Sequence, residues 1–385
     1  MRTWALPEHI EDVLPQDAKK LERMRRVALD LFAVHGYELV VPPLLEYVDS
    51  LLSGTGHDMD LATFKLVDQL SGRMMGIRAD TTPQVARIDA HVLNRQGVSR
   101  LCYAGSVLHT LPNGLGKSRQ PFQAGAEIYG HAGLEADIEI QQLMIDALAA
   151  IGVQALQLDI GHPAIFRALI DLAAVDAELA EQIFMATEAK DVPTLTQLTA
   201  HLDTRQAAFL ALPVLYGGKE VLQRARQLLP RDSRIADALA QLVEIEQHFS
   251  AQGIAVSIDL AELGGFNYES GIVFAAFAAG ASDAVARGGR YDEIGKAFGR
   301  ARPATGFSMD LKALLPLVAD AVSTGAILAP LKPDADAEHE ITRLRGNGET
   351  VITRLPGHDA HVHELGCGRE LIFKAGRWTV VPLKI

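Results

Sequence analysis

The sequence predicts an α+β fold built on an antiparallel sheet flanked by helices. Strand-like segments follow one another across short polar turns, and a helical stretch rich in Ala and Leu, at about 165–250, interrupts them. A shorter segment of mixed α/β pattern follows at 326–385. Strands joined by hairpins pair antiparallel, whereas a doubly wound parallel sheet needs a helix between most strands. We therefore expect two domains, 1–325 with a helical insertion and a small carboxyl-terminal α/β unit, 326–385.

The amino-terminal half alternates helix and strand signals. Apolar residues at helical spacing predict helices over 16–36, 81–94 and 134–152, the second with Thr81 or Thr82 as N-cap. Segment 37–47, YELVVPPLLEY, predicts a strand in which Pro42 and Pro43 prevent central pairing. Further strands are predicted as a hairpin over 64–80 around Ser71-Gly72, then over 99–111, 119–130 and 155–162.

After the helical insertion, strand signals resume. Segments 255–263, 268–280 and 282–292 are rich in apolar and β-branched residues, which favours strands. Segment 307–320, FSMDLKALLPLVAD, has apolar residues at a spacing that predicts a helix. The sheet should therefore close with strands from both sides of the insertion.

Composition limits the functions that the chain can have. The formal net charge is −12, from 36 basic and 48 acidic residues. A negative net charge opposes tight binding to the phosphate backbone of a nucleic acid. Cys102 and Cys367 are too few for a disulfide framework or a metal knuckle, and we predict no metal and no cofactor. No apolar run approaches the roughly 20 residues that span a bilayer, so we expect a cytoplasmic protein with no membrane contact.

Three short motifs carry polar groups that could hold a small ligand. QAGAEIYG places Gln123 and Glu127 on one face of a strand, and RADTTPQ places Asp80 and Thr82 beside a helix N-terminus. RGGRYDE offers two glycines for close backbone approach and the hydroxyl of Tyr291. Each motif taken alone also fits an ordinary cap, solvated strand or turn, so their joint occurrence in this order is the informative observation.

Over residues 6–318 the chain resembles the catalytic domain of histidyl-tRNA synthetase, a class II aminoacyl-tRNA synthetase. GYELVVPPLLEY resembles motif 1, the dimerisation element, and YAGSVLHTLPNGLGKSRQPFQAGAEIYG resembles motif 2 with the strand after it. GGRYD resembles a histidine-specific stretch, and ATGFSMDLKALL resembles motif 3. The resemblance implies a class II synthetase-like antiparallel sheet and a histidine pocket.

The departures from the synthetase pattern fall on the residues that handle ATP. Where the family has Phe-Arg-x-Glu in motif 2, this chain has Leu108–Leu111, and where motif 3 has Gly-x-Glu-Arg, it has Asp310–Ala313. A second histidine-specific stretch, Arg-Gly-Leu-Asp-Tyr-Tyr in the family, is Gly264–Glu269 here. Removing one preorganised donor to a transition state costs roughly 3–4 kcal/mol, and three arginines are missing. We expect no adenylation and no tRNA recognition.

This combination resembles the regulatory subunits of ATP phosphoribosyltransferase, which accompany a short-form catalytic subunit in histidine biosynthesis. The resemblance implies a hetero-oligomer with that subunit, a homodimer through the motif 1 region, and histidine as effector. A buried ammonium and imidazole need acceptors around them. The residues expected to hold histidine are Glu127, Tyr268 and Tyr291, with Asp80, Thr82 and Gln123 on its α-amino group.

Two other functions remain open from the sequence. One is a divergent class II synthetase paralogue that activates an amino acid for an acceptor other than tRNA, which the missing arginines oppose. The other is an RNA-binding module, which the net charge of −12 opposes.

Overall fold

The computed structural model describes residues 4–54, 57–112, 114, 117–264, 269–320, 325–357 and 364–383. The chain forms two compact units, Met1–Ala319 and Asp320–Ile385. We propose 1–325 and 326–385 as the corresponding domains. Before the insertion, the first unit contains α1 (Pro15–Val34), β1 (Glu38–Leu39), β2 (Leu45–Tyr47), α2 (Val48–Leu51), α3 (His57–Ala62), β3 (Phe64–Val67), β4 (Met74–Ile77), α4 (Thr82–Arg87), β5 (Ser99–Ser106), β6 (Phe122–Tyr129), α5 (Leu134–Ile151) and β7 (Leu156–Gly161).

The proline pair divides what the sequence suggested was one strand. β1 pairs in parallel with β5, whereas β2 pairs antiparallel with β4 in a separate three-stranded sheet that β3 completes. The prediction of a single strand over 37–47 was wrong because Pro42 and Pro43 carry no N–H and the chain changes sheets there. The hairpin of β3 and β4 is confirmed, and Gly72 in its turn has φ +70°.

Helices α6 to α11 occupy the region predicted as a helical insertion. They are α6 (Pro163–Ala173), α7 (Ala177–Glu188), α8 (Val192–Leu198), α9 (Gln206–Ala211), α10 (Glu220–Leu228) and α11 (Ser233–Ala251), with the two-residue strand β8 (Tyr216–Gly217) between α9 and α10. Asp176, Asp191 and Asp232 each cap a helix by accepting a hydrogen bond from a backbone N–H of its first turn. In the described parts of the chain, no helix has both the length and the apolar character needed to cross a membrane.

A nine-stranded sheet is the scaffold of the first unit. The strands that complete it are β9 (Ala255–Asp259), β10 (Val273–Ala278), β11 (Ala286–Arg290) and β12 (Ala304–Asp310), and the strand order is β1-β5-β6-β12-β11-β10-β7-β9-β8. The run from β5 to β7 in that order is antiparallel throughout, as predicted, and the pairs β1–β5 and β7–β9 are parallel.

Segment 307–320 is not the predicted helix. Phe307 to Asp310 belong to β12, which pairs with β6 on one side and β11 on the other. Only a short 3-10 turn, Leu315–Leu317, follows. Its apolar residues fit a period of two as well as a helical one, and the hydrogen bonds of two neighbouring strands decide in favour of the strand.

The two faces of the sheet have different chemistry. On one face, alternate residues of β6 and β12 pack against α1 and α5 in the main core; Phe307, for example, makes an edge contact with Phe32 at 5.9 Å between ring centroids. The opposite face of the same strands carries Gln123, Glu127 and Gly306. Because side chains alternate along a strand, each of these strands serves the core and the site at once.

The second unit has its own small core. It comprises β13 (Ala326–Ala329), α12 (Ala335–Gly346), β14 (Val351–Thr353), β15 (Cys367–Lys374) and β16 (Arg377–Pro382), in the sheet order β14-β13-β15-β16. Ile327, Ile341 and Leu371 are buried between the helix and the sheet. The ion pair of Arg369 and Glu349, 2.7 Å, is partly exposed and contributes little to stability.

Candidate functional site

Asp80 lies at a turn between β4 and α4, where three donors meet one of its oxygens. Its Oδ1 accepts hydrogen bonds from Gln123 Nε2 at 2.7 Å and from the backbone N–H of Thr82 at 3.2 Å, and lies 3.3 Å from the Thr82 hydroxyl. Gln123 Oε1 in turn accepts from the N–H of Thr81 at 3.0 Å. Within the part of the chain that the structure describes, Asp80 Oδ2 receives no hydrogen bond. The structure therefore brings Asp80, Thr82 and Gln123 together and leaves one carboxylate oxygen open.

Glu127 is buried in the centre of the site, 1% exposed, and both of its oxygens are served by tyrosine hydroxyls. Tyr103 donates to Oε1 at 3.1 Å, and Tyr291 donates to Oε2. The Thr82 hydroxyl lies 3.2 Å from Oε1 as well. Burial, together with the charge of Asp80, raises the pKa of Glu127 to about 8 against the opposing effect of the hydroxyl donors. Glu127 is therefore no solvated strand residue.

Gly306 makes room for this carboxyl group. It pairs with Glu127 across β6 and β12, and a methyl group built on Gly306 would overlap Glu127 Oε2. Only glycine lets the glutamate lie flat over the neighbouring strand.

A cavity of about 180 Å³ opens among these groups. Seven of its lining residues carry polar side chains, of which the sequence analysis singled out Asp80, Thr82, Glu127 and Tyr291. The complete lining is Asp80, Thr82, Glu127, Glu269, Arg287, Gly288, Gly289, Tyr291, Gly306, Phe307 and Ser308. Tyr268 lies outside the described residues. The cavity has the size and the convergent polar groups of a site for a small polar ligand.

Tyr103, Glu269 and Arg287 were missed as site residues. Tyr103 stands in the apolar run RLCYAG, but the period of two along β5 opposite Glu127 could have identified it. Arg287 opens the motif RGGRYDE and lies on the face of β11 that lines the cavity. Glu269 follows a stretch outside the described residues. It ends the segment that resembles the second histidine-specific stretch, and that resemblance is the signal that could have placed it in the site.

A second cavity, of about 230 Å³, adjoins the first and shares Arg287 and Ser308 with it. Its lining includes His109, Asp310 and Ala313, three of the positions where the sequence departs from motifs 2 and 3. His109 is bonded through Nε2 to the carbonyl of Ala79 at 2.9 Å, and Ala313 contributes only a methyl group. Asp310 Oδ1 accepts from the N–H groups of Phe122 at 2.9 Å and Lys312 at 3.0 Å. The side chains at these positions stabilise the fold locally.

The cations of this second cavity are already paired. Asp283 binds Lys117 through Oδ2 and Arg287 through Oδ1, the latter at 2.9 Å. These ion pairs lower the pKa of Asp283 to about 2. Burial raises the pKa of Asp310, which also lines the cavity. A triphosphate entering here would meet neutralised cations and a partly buried carboxyl group.

Comparisons with known proteins agree with this geometry. The histidyl-tRNA synthetase family matches residues 9–314, and the family described as ATP phosphoribosyltransferase subunit HisZ C-terminal domain matches residues 324–381. A protein of Ralstonia nicotianae named ATP phosphoribosyltransferase regulatory subunit is 55% identical over 385 residues, covering 100% of this chain and 99% of its own. A protein of the same name from Cupriavidus metallidurans is 54% identical, covering 98% and 99%.

Solved structures confirm the predicted fold. The structure of an ATP phosphoribosyltransferase regulatory subunit/histidyl-tRNA synthetase from Bacillus halodurans superposes with a TM-score of 0.83 at 25% identity, covering 94% of this chain and 96% of that one. Histidyl-tRNA synthetase from Nostoc sp. PCC 7120 superposes with a TM-score of 0.76 at 16% identity, covering 98% and 97%. The synthetase-like antiparallel core, the HisZ-type carboxyl-terminal unit and the full-length identity agree: the chain belongs to the family of ATP phosphoribosyltransferase regulatory subunits.

Proposed function

We propose that this chain activates a short-form ATP phosphoribosyltransferase catalytic subunit and confers feedback inhibition by histidine on it. The observation that carries the proposal is the contrast between two adjoining cavities. The first retains Asp80, Glu127 and Tyr291 around a space of about 180 Å³. The second has Ala313 and a partly buried Asp310 at positions where a synthetase would hold ATP. Ligand recognition without adenylation is what a sensor of histidine requires.

The ammonium and imidazole groups of histidine match the carboxyl and hydroxyl groups of the first cavity. We place its ammonium group at Asp80, because Oδ2 of that residue is open while Gln123 and Thr82 fix Oδ1. Gln123 acts mainly by positioning Asp80, since both ends of its amide are bonded within the protein. We place the imidazole near Tyr291 and Glu127, with Tyr268 as a further proposed contact. A buried ammonium or imidazole needs such acceptors and hydroxyls.

A homodimer through the segment Gly36–Tyr47 is part of the proposal. Along and beside this segment, large apolar side chains are exposed in an unusual number for a monomer: Val34, Leu39, Val41, Leu44, Leu45, Val67, Leu70 and Met74. Val41 is 82% exposed and Leu70 is 98% exposed. Apolar surface on this scale marks an interaction site, and a two-fold axis would bury the same patch of both copies.

Activation requires that this subunit bind the active conformation of its partner better than the inactive one. Histidine must then reduce that preference. By reciprocity, the catalytic subunit bound in its active conformation should weaken histidine binding.

The test is to mix this chain with the short catalytic subunit of the same organism. Transfer of the phosphoribosyl group from 5-phosphoribosyl diphosphate to ATP should rise and become sensitive to histidine. With Asp80→Asn the activation should persist while the histidine concentration for half inhibition rises at least about tenfold. Separate elution of the two proteins on size exclusion, with an unchanged rate, would refute the proposal. Histidine-dependent exchange between ATP and pyrophosphate would instead support the divergent synthetase.

A further inference from the structure

Glu269, like Asp80, is a carboxyl group of the first cavity with an oxygen that no described residue bonds. Its Oε2 atom is buried and accepts no hydrogen bond from any described residue. Glu127, in contrast, receives hydroxyl donors at both oxygens. A buried acceptor without a donor destabilises the folded protein, and a bound donor relieves that penalty. The cavity therefore offers a ligand a second open acidic acceptor besides Asp80 Oδ2.

The backbone of Glu269 is fixed from two sides. Arg167 of α6 donates to the carbonyl groups of Glu269 and Ser270, the latter at 3.3 Å. Ser270 N–H donates to the carbonyl of Arg290 at the end of β11 at 2.6 Å. The Glu269 carboxyl group then lies over Gly289, so close that a methyl group on that glycine would come within 2.6 Å of Cδ. Its position is therefore built into the fold.

The charges that face Glu269 come from every element around the cavity. Asp80 and Glu127 line the same space, and Glu262 acts on Glu269 from the loop after β9. Arg167 and Arg287 oppose them, but Arg287 is shared with Asp283 at 2.9 Å and lies 3.9 Å from Glu262. Among the described lining residues, three carboxyl groups face one arginine. A cationic ligand is favoured over a neutral one.

We propose that Glu269 binds the ring of the ligand and that the ligand is held as an imidazolium, with one ring N–H donated to Glu269 and the other directed to the Glu127–Tyr291 side. The inference rests on the proposed function, because it names the chemical form in which the proposed effector binds. A neutral imidazole has one donor and one acceptor and can donate at one end only, whereas an imidazolium donates at both.

The surroundings of Glu269 favour its protonated form. Burial, and after it the charge of Glu262, raise the pKa of Glu269 well above its ordinary value. A proton that Glu269 carries passes on binding to the basic ring nitrogen, and a histidine that arrives already protonated meets the carboxylate, so both routes leave an imidazolium paired with a carboxylate. The number of protons is conserved, and the basicity of the ring becomes the property that the site recognises.

The test uses 3-(1,2,4-triazolyl)alanine, which keeps the ring size and an N–H but is much less basic than histidine. Calorimetric titration of the full chain at neutral pH should show histidine binding at least about tenfold more tightly, because a charge-assisted hydrogen bond is roughly twice as strong as a neutral one. Glu269→Gln should lower the affinity for histidine about tenfold and leave that for the triazole within about twofold. The ratio of the two affinities should thus collapse.

Glu293→Gln is the matched control, since it removes an exposed carboxyl group, with 68% of its side chain accessible, that does not line the cavity. Its ratio of affinities should stay within about twofold of the wild-type ratio. Equal affinity of the wild-type chain for both ligands would overturn the inference alone, as would an unchanged ratio in Glu269→Gln. Absence of histidine binding to the wild-type chain would overturn the histidine part of the proposed function. The wild-type comparison needs no variant, so the test stands even if Glu269→Gln folds poorly.

Discussion

Glu127→Gln should change how the stability of the protein depends on pH. Burial raises the pKa of Glu127 in the folded state to about 8 from an ordinary 4.5. A carboxyl group whose pKa is raised by folding contributes stability that is fully present below its unfolded pKa and is lost as pH rises through the folded one. Between those two values the free energy of unfolding falls by about 1.4 kcal/mol per pH unit.

The expected magnitude over an accessible range follows from these values. From about pH 6 to about pH 8, Glu127 should remove about 2 kcal/mol from the free energy of unfolding of the wild-type chain. Glutamine keeps the shape and can both accept from Tyr103 and donate to Tyr291, whose hydroxyl rotates. The variant should therefore match the wild type near pH 6 and exceed it near pH 8.

Urea unfolding, followed by far-UV circular dichroism at both pH values, measures how the difference in free energy of unfolding between the two proteins changes with pH. All other titrating groups are common to the two proteins, so their contributions cancel. Glu293→Gln, at a glutamate with 68% of its side chain exposed, serves as the control and should follow the wild type. If the free energies of unfolding of the wild type and Glu127→Gln agree within about 0.5 kcal/mol at both pH values, the reasoning from burial is refuted.

Three further outcomes are expected. Gly306→Ala should abolish histidine binding, measured by calorimetry, because the added methyl group overlaps the carboxyl group of Glu127. Asp137→Ala should lower the free energy of unfolding in urea by about 3–5 kcal/mol, because it leaves the buried Arg290 guanidinium, bonded to Asp137 at 2.8 Å, without its main carboxylate. Histidine at a hundred times its dissociation constant should raise that free energy by about 2.7 kcal/mol, measured in urea with and without it.

Two substitutions serve as controls for these outcomes. Gly97→Ala adds a methyl group where nothing lies within 4 Å, so histidine binding should persist. Glu340→Ala breaks the exposed pair with Arg343 and should change the free energy of unfolding by less than about 1 kcal/mol. Equal decreases in the free energy of unfolding of Asp137→Ala and Glu340→Ala would contradict the role given to burial.

Much of the scaffold follows from local pattern. The β3–β4 hairpin, the long helices α1 and α5, and the strand pair β5–β6 were predictable because periodicity and turn residues agree there. The helix predicted over 307–320 was wrong because its strand pairs with partners distant in the chain, which local periodicity does not encode. The same limit explains why β1 and β2, which belong to different sheets on either side of the proline pair, were predicted as one strand.

The site was predictable where its residues share a strand or a turn. Gln123 and Glu127 follow from the period of two, and Asp80 and Thr82 from their place before α4. Glu269 enters through a loop fixed by Arg167, more than a hundred residues earlier in the chain, so no local rule locates it. The pairing of Lys117 and Arg287 by Asp283 is likewise a product of tertiary structure.

The proline pair between the two sheets is also bonded to residues on either side of the turn that carries Asp80. Arg78 donates to the carbonyl of Pro42 at 3.0 Å and Gln84 donates to that of Pro43 at 2.8 Å, and these two donors flank the turn that carries Asp80. If two copies associate through this segment, the affinity of the protein for its ligand depends on the concentration of the protein. A histidine titration at nanomolar protein then reports on a different species from one at micromolar protein. In the cell, the amount of this subunit would set the sensitivity of the response as well as its capacity.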